Sequence, residues 1–450
     1  MAQGNPDMEQ KLRELNCLFT WDTNEYSEDL KKVTCESDGY IYLVPQHNLM
    51  KQLALNYQHI LNEDYDKADE TIREMEKIIP HFIDLRKEVA EHFLESTKVY
   101  NLLKKGNNDE VNLLLENIKD IEDKKYLPVI TEFKAMLLSL CKHSDRAIEL
   151  AKIALEYDPD ISLCYFIIGK NLRSIRRNMS CFTTPSDEEI SHFSKAYELE
   201  KNPQYGIFLG QAFKESNSRQ KANTILQEIH EMNIPCPKIN LRLSLYFLQN
   251  QFLDEAEKCL DFVETIRPES SWFLHYKGLY LMRRQKYQEA AECFKRTENE
   301  KNFGADLGYA KCMRIQRKRF DYVKYFLELL EKYKGDEEGY KQKELLLHIA
   351  FSYFNIKRDI REAIKYFLQA FQMDLPKFDM SRYHDVFTGQ TINVYLFLCK
   401  EVFTKVEEYR EKKIINLPEE IVEANETLKK ICDEYQKSCR RDFRNNHASV

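Results

Sequence analysis

Small residues return along this chain at a spacing of about 34 positions, and that recurrence restricts its fold more than any other feature. The clearest stretch begins near Ser271, where Gly278 is followed by Tyr287, Ala290 and Phe294. The stretch before it starts near Pro237, carries Ala256 and ends at Pro268. Upstream, Ala147, Ala151, Ala154 and Pro159 mark one frame, Gly169 and Leu172 open the next, and Gly210, Phe213 and Ala222 mark another. Tyr65, Ala68, Ile72 and Met75 fit nearer the start, Ala363, Phe367 and Ala370 nearer the end, and weaker copies cover 92–120 and 304–331. A glycine or alanine at such a position lets two helices cross closely. Large apolar residues fill the space between pairs, and a proline stops the second helix because it cannot continue one.

This is the pattern of the tetratricopeptide repeat, a helical hairpin that cannot bury its apolar face alone and must stack on its neighbours. The fold class expected is all-α, a tetratricopeptide-repeat superhelical solenoid with C-terminal capping helices, its first helices lining a concave face. The expected organisation is an N-terminal segment with leading helices over 1–48, an array over 49–376, and C-terminal helices with a frayed tail over 377–450. The array has room for about nine hairpins. One is irregular. Its first helix reads from Ser162 to Ser174 and its second restarts near Asp187, which leaves an insertion near 175–186 where the other links are short. Beyond the array, 390–411 and 418–437 read as amphipathic helices.

Only 12 Gly and 12 Pro occur in 450 residues, as long helices require, and 12% aromatic residues can support a core throughout. The net charge of −7 is not the overall signature of a nucleic-acid binder, although it leaves room for a local basic groove. None of the 12 cysteines forms a C-x-x-C pair, which points to reduced structural thiols in a cytoplasmic protein and to no metal site. The polar N-terminus and the lack of a long apolar run predict neither a signal peptide nor a membrane span. No phosphate loop, dinucleotide fingerprint, zinc-protease helix or nucleophile elbow is present, so no catalytic residue and no cofactor is expected and the chain does not read as an enzyme.

Leu12 to Trp21, LRELNCLFTW, fixes a Cys, Phe, Thr and Trp at spacings the repeat does not demand. The segment resembles the opening of the interferon-induced proteins with tetratricopeptide repeats. GKNLRSIRRN followed by the insertion, and SSWFLHYKGLY from Ser270 to Tyr280, resemble the same family, so that the likeness spans about residues 10–376. The resemblance implies a non-catalytic cytoplasmic protein of antiviral innate immunity with a positively charged channel. It implies single-stranded RNA as partner, held by its 5′ triphosphate or cap, together with protein partners through self-association or related family members. Carried over position by position, Arg176 matches a phosphate-contacting arginine, Arg242 lies within one residue of another family arginine, and His275 with Tyr276 fall at or beside a polar groove position. Cys35, Gly39, Lys134, Leu138 and Ser144 stand where the family has other residues.

From the repeat register alone, Lys170, Arg173, Lys214, Lys238 and Arg283 belong on or near the inner face, where they would form a track for phosphates. The alternative reading is a tetratricopeptide-repeat adaptor that binds peptide or protein partners without RNA.

Overall fold

The computed structural model describes residues 6–21, 27–30, 33, 44–179, 183–335, 339–375, 378–385, 389–412 and 417–447. Cys35 and Gly39 lie outside the described residues. The chain divides into two compact units, Met1–Leu243 and Ser244–Val450.

Unit 1 begins with α1 (Pro6–Glu14) and α2 (Ser27–Leu30) and continues as antiparallel pairs. These are α3 (Pro45–Leu61) with α4 (Tyr65–Ile78), α5 (Asp84–Lys105) with α6 (Asn108–Leu115), and α7 (Leu127–Leu140) with α8 (Ser144–Tyr157). Then come α9 (Ser162–Met179) with α10 (Asp187–Leu199) and α11 (Pro203–Glu215) with α12 (Arg219–Glu231). The division falls within α13 (Pro237–Gln249), which α14 (Leu253–Ile266) follows. Unit 2 continues with α15 (Ser271–Arg283) and α16 (Tyr287–Lys295), α17 (Phe303–Ile315) and α18 (Tyr322–Lys332), and α19 (Tyr340–Ser352) and α20 (Ile360–Gln372). It closes with a two-residue hairpin of β1 (Tyr383–His384) on β2 (Thr391–Ile392), then α21 (Val394–Phe397), α22 (Phe403–Glu411) and α23 (Glu419–His447). The last helix packs on α20 and takes in most of the segment expected to fray.

The hairpins share one backbone device. The turn between first and second helix holds a residue in the left-handed region at Glu63, Gly106, Lys142, Asn217, Gln251, Gln285, Arg317 and Arg358. All but Gly106 carry a Cβ, so each of the other turns stores a cost of about 1–2 kcal/mol that helix packing must offset. The α9–α10 pair has the longer link instead.

The small residues sit where the frame required them. A Cβ on Gly210 would lie 2.6 Å from Leu226, and one on Gly278 would lie 2.5 Å from Phe294, so the helices meet almost backbone to side chain. Ala147, Ala151, Ala154, Ala222, Ala256 and Ala290 are fully buried for the same reason. The helix α9 runs to Met179, five residues past the expected Ser174, because the Ile-Arg-Arg stretch is held in helical form by partners on other helices described below. The insertion is correspondingly shorter.

The N-terminal motif is structural chemistry. Cys17 and Leu18 are buried, and Cys17 shares an apolar cluster with Val99 and Val111 on the second hairpin. Thr20 Oγ1 accepts from Cys17 N at 3.1 Å and donates to the Leu15 carbonyl, which closes the turn after α1. Phe19 stacks on Tyr100 at 4.5 Å between ring centroids, Trp21 sets its edge on Phe93 at 5.4 Å, and Trp21 Nε1 donates to Asn16 Oδ1 at 2.7 Å. Each residue type in the motif thus has a mechanical reason. The nine cysteines whose side chains are described, from Cys17 to Cys432, are free thiols, and burial pushes Cys141 and Cys259 up to about 12, which leaves them protonated and inert. Among the described residues, no helix is long and apolar enough to cross a membrane, and no group of three or more His, Cys, Asp or Glu could hold a metal ion.

Candidate functional site

The first helices of unit 1 carry its polar interior. Glu132 on α7 is fully buried, accepts from Arg86 Nε on α5 at 3.0 Å and from Gln46 Nε2 on α3 at 3.2 Å, and so ties three successive first helices together. Burial raises its carboxyl above the ordinary range, and the Arg86 charge offsets only part of that. Asn171 on α9 donates to Ser139 on α7 at 3.0 Å. The chain of contacts then reaches a cluster of arginines.

Arg173 on α9 is buried, with 5% of its surface exposed. Its Nη2 donates to Glu215 Oε1 at 2.7 Å, and its Nη1 is buried with no hydrogen-bond partner. Its guanidinium lies 5.4 Å from the Phe208 ring centre on α11, and Arg242 on α13 lies 5.1 Å from that same centre. The Phe208 ring is itself held by the rings of Phe166 at 5.1 Å and Phe193 at 5.7 Å. Burial, helped by the charges of Arg177 and Arg242, lowers the Arg173 pKa to about 10, while Glu215 works in the opposite direction. The guanidinium remains charged at neutral pH, and the shift records how poorly solvated the positive charge is.

Arg176, three residues on, is occupied differently. Its Nε and Nη2 donate to Glu189 at 2.8 and 3.0 Å, Nη2 also donates to Glu215 Oε2 at 2.6 Å, and Nη1 donates to the Thr183 carbonyl at 2.7 Å. Four of the five N–H bonds of a guanidinium are thereby directed at protein acceptors. Arg176 joins α9, the start of α10, the inserted link and the end of α11. Arg177 also donates to Glu215 and is half exposed. The three arginines hold the Glu215 carboxyl below its ordinary range against the opposing effect of its burial.

The structure therefore brings Arg173, Arg176 and Arg242 together. Lys170 lies one turn before Arg173 on α9, Lys238 one turn before Arg242 on α13, and Lys214 beside Glu215 on α11, all partly buried. Burial lowers the Lys214 pKa, partly offset by Glu215. His275, Tyr276 and Arg283 lie apart from this group in the chain, all on α15 in unit 2. His275 is wedged against Gly304, whose added Cβ would stand 2.5 Å from its ring, and its Nδ1 is buried without a partner. Its ring neighbours are Phe294, Tyr276 and the exposed Trp272, and burial pulls its pKa down to about 4. Tyr276 is partly buried and Arg283 is exposed. Of the positions that differ from the family, Lys134 places its ammonium 4.8 Å from the Trp21 ring centre, while Leu138 and Ser144 are buried.

Sequence reasoning passed over Phe208, Arg177, Glu189 and Glu215. Glu189 carried a signal, because Ser186-x-x-Glu189 is a helix-start pattern, and the Ser186 hydroxyl does accept from Glu189 N at 3.1 Å. Glu215 carried none, since Arg173 is 42 residues away in the chain.

Stacked two-helix hairpins of this frame, crossing at small residues, define a tetratricopeptide-repeat solenoid. No protein-family model matches the chain, and no curated protein matches it in sequence. Among solved structures it is similar to human IFIT1. The human IFIT1 dimer with PPP-AAAA superposes with a TM-score of 0.64 at 16% identity, over 98% of this chain and 99% of that one. A monomeric IFIT1 mutant with Gppp-AAAA gives 0.64 at 15% identity, over 94% and 100%. The human IFIT1 dimer with m7Gppp-AAAA gives 0.60 at 15%, over 94% and 99%. At these identities the likeness is one of fold, and it extends over nearly the whole chain.

Proposed function

We propose that this chain is a non-catalytic cytoplasmic protein of antiviral innate immunity that binds single-stranded RNA by its 5′ end, on the basic face formed by α9, α11 and α13. The observation that carries the reading is the cluster of Arg173, Arg176, Arg177 and Arg242 against, among the described residues, the carboxylates of Glu189 and Glu215, with one buried Arg173 donor still unsatisfied. A buried cationic donor lacking an acceptor is costly, and a phosphate oxygen is a fitting acceptor for it. The fold likeness to IFIT1, whose structures hold PPP-AAAA and capped AAAA, supports the same reading. In this proposal Arg173, Arg176, Arg242, Lys170, Lys214 and Lys238 face the phosphates, and the partly exposed Phe208 offers a ring to the first bases. His275, Tyr276 and Arg283 are proposed as contacts in unit 2, with the neighbouring Trp272 as a stacking surface. Self-association belongs to the same proposal, since two of the IFIT1 structures are dimers, and sedimentation of the purified chain tests it.

The test is binding of one oligonucleotide bearing a 5′ triphosphate, cap, monophosphate or hydroxyl, at two salt concentrations. End-selective binding that weakens in Arg242→Gln, with a salt slope shallower by about 0.7, is the expected result for a lost single-strand phosphate contact. Binding indifferent to the 5′ group and to that substitution would overturn the proposal and favour an adaptor for protein partners.

A further inference from the structure

Glu215 is an unusual residue for its place. It ends α11, where the helix dipole disfavours a negative charge. Three guanidiniums hold it there. Arg173 Nη2 and Arg177 Nη2 both reach Oε1, the first at 2.7 Å, and Arg176 Nη2 reaches Oε2 at 2.6 Å. Several N–H donors converging on the oxygens of one anion is the same donor set that a terminal phosphate would use. The carboxylate side chain is 26% exposed, so solvent and ligands reach it. The other acid of the cluster differs on each count. Glu189 is 1% exposed, pairs among the described residues with Arg176, and sits in the first turn of α10, where the dipole favours it.

We propose that Glu215 is an internal competitor that occupies the phosphate position among Arg173, Arg176 and Arg177, and that it thereby sets how much 5′ charge a ligand must carry to enter. This rests on the reading of the face as an RNA 5′-end site. A carboxylate offers two oxygens and one charge. A terminal phosphate offers three oxygens and nearly two charges. The third oxygen gives the idle Arg173 Nη1 an acceptor that Glu215 does not supply. A 5′ hydroxyl cannot displace the carboxylate, a monophosphate does so poorly, and a triphosphate does so well. Glu215 acts through the arginines on ligand choice and is a specificity determinant for 5′ charge.

The test compares wild type, Glu215→Gln and Glu189→Gln. The probes are one single-stranded RNA with a 5′ hydroxyl, monophosphate or triphosphate, and inorganic tripolyphosphate. Glu215→Gln is expected to tighten monophosphate binding by about tenfold, the scale of removing one charge-assisted competitor, and to narrow the gap between monophosphate and triphosphate. Glu189→Gln is expected to tighten neither. If wild type and Glu215→Gln bind the RNAs equally, the RNA reading stands and the role of Glu215 falls. If no variant binds RNA but Glu215→Gln takes up tripolyphosphate better than wild type, Glu215 keeps its role and the RNA reading falls. Weaker binding of every probe by a folded Glu215→Gln would overturn the competitor. Should that variant fail to fold, Glu215→Asp keeps the charge on a shorter arm, and the same tightening, smaller in size, is expected.

Discussion

Arg176 ties α9 to the start of α10 as well as standing at the proposed phosphate position, and a double-mutant cycle with Glu189 measures the tie. Glu189 is 1% exposed and Arg176 is 11% exposed, so their pairing is a desolvated one. Arg176→Met leaves the Glu189 carboxylate buried with no cation, and also releases the Thr183 carbonyl and one oxygen of Glu215. Breaking a buried pair from one side costs about 3–5 kcal/mol. Glu189→Leu alone leaves a guanidinium that still has Glu215, and its cost is about 1–3 kcal/mol. The double variant Arg176→Met/Glu189→Leu replaces the pair by apolar side chains, for which the net cost is small. A coupling of about 2 kcal/mol or more is therefore expected between the two sites. Stacked hairpins need not unfold in one step, so the readout is the local opening free energy of α9 and α10 from amide hydrogen exchange. The reasoning is refuted if Arg176→Met leaves that protection within about 0.5 kcal/mol of wild type. A steep fall in RNA affinity at unchanged protection would assign Arg176 to the ligand alone.

Three further outcomes follow from the same structure. The His275 imidazole is pulled from 6.5 to about 4 by burial, so the unfolded chain takes up the proton first as pH falls. Its contribution is fully present above pH 6.5 and is lost toward pH 4, amounting to about 3 kcal/mol. His275→Phe should flatten that part of the pH–stability curve, and an unchanged slope would contradict the assignment. Gly278→Ala should destabilise unit 2 by about 1–3 kcal/mol through overpacking against Phe294, and Phe294→Leu should relieve it, as thermal midpoints of the single and double variants will reveal. Thr20→Val removes the hydroxyl that bonds to Cys17 N and the Leu15 carbonyl, and should cost about 1–2 kcal/mol, with faster hydrogen exchange confined to α1 and its contacts on α5 and α6.

The repeat was readable because it is written in short-range chemistry. Gly210, Gly278, Ala147 and Ala222 announce close crossings, since nothing larger fits there, and the first residues of α13 and α15 coincide with Pro237 and Ser271. The end of α9 was not readable. Its last turn is stabilised by Glu189 and Glu215, which lie 13 and 39 residues beyond Arg176, and no local propensity records that. The cations were expected on successive first helices, from register or from the resemblance, but neither source records their state. Register gives Arg173 and the family resemblance gives Arg176, yet neither records that one keeps an idle donor and the other has four bonds to protein acceptors. Most of the left-handed turn residues were also silent in the sequence, because Lys142, Gln285 and Arg317, unlike Gly106 and Asn217, are not residues that favour that conformation.

The chain has two tryptophans, and each unit holds one. Trp21 lies on Phe93 beneath the Lys134 ammonium, whereas Trp272 stands 58% exposed on α15. Their emission spectra must therefore differ, the second being the redder, and Trp272→Phe or Trp21→Phe leaves a single optical reporter in a chosen half. Melting each single-tryptophan protein then measures how far disturbance in one half is felt in the other, with no label attached to either.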